Sequence, residues 1–139
     1  MKKIIIILLL SCSLIGCHTL YHLENRTGGY GETKLGDNVW KVYFSFNKHT
    51  TDERASDYLR LRCAEITIYN EFRYFQMSDL STDPVQGLTK NGEKFYSNEQ
   101  LSKSCIMTSF KEMPEKGTTY EAKKIIESKP HPEQAYKTI

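Results

Sequence analysis

The residues whose types could do chemistry in this 139-residue chain are four cysteines, four histidines and one arginine–glutamate pair set into an apolar stripe. Cys63 and Cys105 enclose a loop of about forty residues, and a disulfide across such a loop would stabilise a fold by ~3–4 kcal/mol. The same two residues would serve equally as small buried hydrophobes. A catalytic thiol needs a base beside it, and no histidine stands in a pattern that would supply one. His18, His22, His49 and His131 show no metal-ligand spacing. The pair His18 and His22 lies four apart, but in a glycine-rich stretch that does not favour a helix. Arg62 and Glu65 lie three residues apart. Their simplest reading is an arginine whose stem packs while its head reaches the edge to meet Glu65. A buried Arg62 would need carboxylate partners, with Asp57 and Asp79 as candidates, and could centre a small pocket for an anionic ligand. The chain has no nucleophile elbow, phosphate loop or Cys-x-x-Cys. The expectation is a protein that is not an enzyme and needs no cofactor or metal.

The other two cysteines belong to the N-terminus. Met1-Lys2-Lys3 is a cationic start, and Ile4 to Ile15 is an almost uninterrupted apolar run of twelve residues. A membrane-spanning helix needs about twenty, so this run reads as a signal peptide over residues 1–16. Leu14-Ile15-Gly16-Cys17 then resembles the lipobox of bacterial lipoproteins. There a small residue before the cysteine admits the peptidase, and the thiol carries a diacylglyceryl group. Leu9-Leu10-Ser11-Cys12 fits the pattern more loosely, with a shorter apolar run ahead of it. Two or more acyl chains make a stable anchor. His18 occupies the position where lipoproteins kept at the inner membrane carry Asp. The resemblance therefore implies an anchor at Cys17 and the periplasmic leaflet of the outer membrane.

Charge agrees with a role away from nucleic acids. Lys2 and Lys3 are the only charges in the first seventeen residues, and without them seventeen bases face seventeen acids. A neutral chain has no electrostatic reason to bind DNA or RNA. All sixteen aromatic residues follow position 17, so a small core rich in Tyr and Phe is expected.

The elements that must position these residues follow from periodicity. Residues 17–38, polar and holding four glycines, read as an acylated terminus and flexible tether. Val39 to Phe46 alternates, with Trp40, Val42, Phe44 and Phe46 on one face. Thr50-Thr51-Asp52-Glu53 reads as a capping box with Thr50 as the cap. The helix it opens runs to about Asn70, with Ala55, Tyr58, Leu59, Cys63, Ile66 and Tyr69 in one sector, and Arg62 in its middle. Phe72 to Leu80 and Ser104 to Lys111 read as further strands. Residues 81–101 read as a polar excursion with a small hairpin at Asn91-Gly92. Thr118 to Ser128 reads as a short helix, and 129–139 as a disordered tail. The expectation is an α+β domain over 39–128 in the order β-α-β-β-α, a three- to four-stranded sheet with one long helix packed on it in a βαβ or split βαβ arrangement.

Three segments also resemble one family. Gly29-Tyr30-Gly31-Glu32-Thr33-Lys34-Leu35, then Val42-x-Phe44-x-x-Asn47, then Arg54-x-x-Asp57-Tyr58-x-x-x-Arg62-x-Ala64-Glu65 are similar to a family of short proteobacterial lipoproteins. Tyr120-Glu121-Ala122 resembles its C-terminal helix. The resemblance implies a lipid-anchored α+β domain and carries no activity. Expected partners are the bilayer, through acylated Cys17, and an envelope protein. The rival expectation is a small-ligand or metal-sensing module with its site at Arg62. Tyr30, Trp40 and Tyr43 are either core or a recognition surface.

Overall fold

A computed structural model describes residues 19–25, 28–88, 91–92 and 94–129. The expected signal peptide, Cys12, Cys17, His18, His131 and the rest of the expected tail lie outside them. Five strands and two helices follow one another as β1 (Gly29–Gly36), β2 (Val39–Asn47), α1 (Asp52–Tyr69), β3 (Tyr74–Leu88), β4 (Lys94–Phe110), β5 (Thr119–Glu121) and α2 (Ala122–Ser128). They form one sheet in the order β1-β2-β4-β3-β5, every neighbouring pair antiparallel. Since β2 and β3 both run against β4, they are parallel to each other. The helix between them is therefore the crossover of a split βαβ unit.

The α+β class holds, and the strand count and order differ from expectation. The first new strand, β1, occupies the stretch read as a tether. Its eight residues pair with β2 from Gly29 opposite Ser45 to Gly36 opposite Val39. The segment 19–25 packs along its outer edge. Tyr30 N–H donates to His22 O at 2.8 Å and Glu24 N–H to Tyr30 O at 2.9 Å. Thr19 and Tyr21 are each only 4 % exposed, so the ordered body begins at Thr19 rather than at Val39. The second difference is the expected excursion at 81–101. It is a continuous ribbon, with β3 and β4 paired from Tyr74 opposite Phe110 to Leu88 opposite Lys94. The turn at Asn91-Gly92 is where the sequence places it, but it closes long strands instead of a small hairpin. The free outer edge of β3 is broken by Asp79 in a left-handed conformation (φ 50°) and by Pro84, which has no N–H to offer. Both features discourage pairing with another chain. The third difference is β5, which takes the first residues of the expected C-terminal helix.

Trp40, Val42, Phe44 and Phe46 do share the buried face of β2, as alternation requires. Phe75, Cys105 and Met107 extend that face across β3 and β4. On α1 the buried arc is displaced from the expected sector. It runs from Ala55, Leu59 and Ile66 through Cys63 and Thr67 round to Ala64 and Leu61. Tyr58, Arg62 and Glu65 are left half-buried along one flank, and Tyr69 is 88 % exposed. The physical reason is that α1 packs on two partners, the sheet and α2, so its apolar surface is wider than one stripe. The cap also moves by one residue. Thr51 Oγ1 accepts from Arg54 N–H at 3.2 Å, while Thr50 Oγ1 accepts the N–H of Thr19 at 2.7 Å.

Candidate functional site

The flank of α1 that faces β1 carries the densest polar cluster among the described residues. Antiparallel pairing puts Tyr30 opposite Phe44 and Glu32 opposite Val42, so both β1 side chains lie on the helix side of the sheet. One turn of α1 separates Arg62 from Glu65 on the facing flank. The guanidinium of Arg62 grips Glu32 through two bonds, Nη2 to Oε1 at 2.7 Å and Nε to Oε2 at 3.0 Å. Its third nitrogen, Nη1, donates to Glu65 Oε2 at 3.0 Å. Its plane lies over the Tyr30 ring, 4.3 Å from the centroid. From the N-terminal segment, the Tyr21 hydroxyl donates to the same Glu65 oxygen. The Tyr21 ring meets Tyr30 at 4.6 Å and Tyr58 at 5.4 Å. Arg62, Glu32 and Glu65 keep 21, 29 and 18 % of their side-chain surface in water, so the cluster is largely enclosed.

Electrostatics follow from these contacts. Burial opposes the Arg62 charge, but its bonds to Glu32 and Glu65 outweigh that and hold its pKa above the usual range. Burial, reinforced by the bond to Glu65, pushes the Tyr21 phenol far up. At the open face of the sheet, Tyr43 donates to Glu24 at 2.6 Å, and that bond raises its pKa to about 12. The Tyr21 shift makes alkaline stability a test. A phenol in the unfolded chain titrates near pH 10, and folded Tyr21 keeps its proton well beyond that. Above pH 10 the unfolded state therefore binds fewer protons, and stability falls by about 1.4 kcal/mol per pH unit from this group alone. Tyr21→Phe should cost about 1 kcal/mol at pH 7 and remove that share of the alkaline fall. Urea midpoints at pH 9, 10 and 11 would read it, and parallel curves for the two proteins would refute it.

The arrangement works as a clamp between β1, α1 and the N-terminal segment. All three guanidinium nitrogens already donate to carboxylates, so Arg62 presents no open face to an anion. The expected partners Asp57 and Asp79 are corrected to Glu32 and Glu65. Asp57 instead accepts from Arg60 at 3.3 Å and Lys129 at 2.5 Å, and Asp79 lies on β3, across the sheet from β1. Sequence reasoning missed Tyr21, Tyr30 and Glu32 as members. The alternation of Tyr30, Glu32 and Lys34 was the available signal, masked by the glycines around it. Outside the clamp, a cleft of about 670 Å³ opens beside Tyr30, Trp40, Ile66, Tyr69 and Asn70. Trp40 is core, 4 % exposed, and Tyr43 stands on the opposite sheet face.

Cys63 and Cys105 meet where the sequence pattern allowed. Their sulfurs are 3.8 Å apart, both as thiols, inside the core. Burial, followed by the contact with Cys105, raises the Cys63 pKa well above the usual range, which makes it a poor nucleophile in the folded state. Thr67 Oγ1 bonds Cys63 O at 2.8 Å and Ser109 Oγ at 3.1 Å, so the neighbouring buried hydroxyls are satisfied. His22 Nδ1 lies 2.7 Å from Leu23 O, and His49 is exposed in the turn after β2. Among the described residues no three His, Cys, Asp or Glu side chains gather as a metal site would require, and no helix is long and apolar enough to cross a membrane.

Compared with known proteins, the chain matches no family model, no curated protein and no solved structure.

Proposed function

We propose that this chain is a lipid-anchored protein of the periplasmic face of the outer membrane, with a non-enzymatic role in the envelope. The observation that carries the reading is Leu14-Ile15-Gly16-Cys17 behind a cationic start and a twelve-residue apolar run. Its similarity to the short proteobacterial lipoproteins adds support. The Arg62 cluster favours this reading over the ligand module, because its donors are spent inside the protein. In such a compartment a thiol oxidant can take two electrons and two protons from Cys63 and Cys105, leaving a disulfide between β4 and α1.

One experiment tests both parts: the intact mass of protein extracted from purified outer membranes, with alkylation in denaturant before and after reduction. The expected mass is that of residues 17–139 plus three acyl chains, with two thiols alkylated only after reduction. An unacylated mass would overturn the anchor. Two thiols alkylated without reductant would overturn the bridge.

A further inference from the structure

Thr19 is the point at which the chain enters the fold, and it is firmly held. Its N–H donates to Thr50 Oγ1 at 2.7 Å, and its own Oγ1 accepts Asn47 N–H at 2.9 Å. It thus sits at the end of the body where β2 stops and α1 begins. Only His18 separates it from Cys17 in the sequence. Two residues of chain reach at most ~7 Å. An acyl group on Cys17 would therefore hold this end of the body within about a nanometre of the headgroups.

The β3–β4 ribbon leaves the body at the same end. The last residue of β2, Asn47, pairs with Gln100, and β4 continues beyond it to Lys94, with β3 alongside as far as Leu88. Those six further residues span roughly 20 Å at the rise of an antiparallel strand. The turn they lead to presents an exposed Asn91 and a Gly92 with open space around it. The ribbon is thus about three times as long as the stem allowed by Cys17. Beside its base, Leu20 and Leu23 are 39 and 67 % exposed. These leucines flank the entry point of the chain, where lipid would cover them.

We propose that the β3–β4 ribbon, with Asn91 and Gly92 at its turn, is a bilayer-contact element, and that a lipid surface occupies this end of the protein. The β1–β2 turn at Asp37 and Asn38 is then the end that faces away, roughly 27 Å distant along β2. This inference rests on the anchor at Cys17, and the short stem forces it: acyl chains in the bilayer bring the ribbon to the surface before the body.

The test uses the acylated full-length protein with vesicles of phosphatidylethanolamine and phosphatidylglycerol. Flotation establishes anchoring independently. Spin labels are placed at Asn91→Cys and, as the distal control, at Asp37→Cys; the buried Cys63 and Cys105 stay unlabelled, as the parent protein verifies. On vesicle binding, the Asn91→Cys label should gain collisions with lipid-soluble oxygen and lose those with a water-soluble nickel chelate, each at least threefold. The Asp37→Cys label should change in neither. A floating protein with both labels unchanged, or both equally protected, would overturn the ribbon contact and leave the anchor standing. A protein that fails to float would overturn the anchor and the contact with it.

Discussion

Alanine at Gly28 should lower the free energy of unfolding by about 3 kcal/mol, the sum of a strained backbone and an overpacked contact. Gly28 has φ +111°, a region that side chains rarely enter, and a Cβ there would lie 2.3 Å from the carbonyl oxygen of Ser45. That oxygen belongs to the backbone of β2 and cannot rotate aside. Gly29, with φ +119° and a Cβ position 2.5 Å from His22 O, repeats the conflict one residue on. These two glycines let the N-terminal segment double back tightly onto β1. The loss should appear as a fall of roughly 10–15 °C in Tm for a domain of this size. Gly36→Ala is the control, since its Cβ would meet only Val39 side-chain atoms at ordinary contact distance. Equal denaturant midpoints for Gly28→Ala and the parent would show the segment to be a loose tether after all.

Arg62→Met should destabilise by about 2–3 kcal/mol, even though the methionine keeps most of the stem's packing. The cost lies in what remains: two carboxylates, Glu32 and Glu65, face each other with their shared cation gone. Partial exposure keeps the figure below that of a fully buried pair. Glu32→Gln in the Arg62→Met background should recover part of the loss, because it removes one of the two stranded charges. The double-mutant cycle should return a coupling of about 1–2 kcal/mol between positions 62 and 32. A neutral Arg62→Met would mean the guanidinium is solvated and the clamp holds nothing. Chemical denaturation of the four proteins at pH 7 decides between these outcomes.

The stretches legible in the sequence are those whose pattern answers to one neighbour. β2 alternates because one face meets the core and the other does not, so Trp40, Val42, Phe44 and Phe46 could be read directly. The helix announced its start by Thr51 and the acids after it, and its length by apolar spacing. The proximity of Cys63 and Cys105 was legible as one of two readings. The lipobox is a local signal and needs no fold at all.

Other features depended on neighbours the sequence does not display. β1 shows Glu32 and Lys34 towards the helix side, where a buried strand should show apolar residues; only the facing Arg62 explains Glu32 there. The ribbon at 81–101 looked like a loop because much of it extends past the body, where no buried face imposes alternation. The α1 sector turned because α2, eighty-odd positions from Val39 in the chain, covers a second side of the helix. By itself the sequence determined which residues seek burial and how α1 begins. The tertiary structure alone decided that the glycines at 28 and 29 mark a tight crossing, and that Arg62 closes on Glu32, because both depend on which backbone comes to lie alongside.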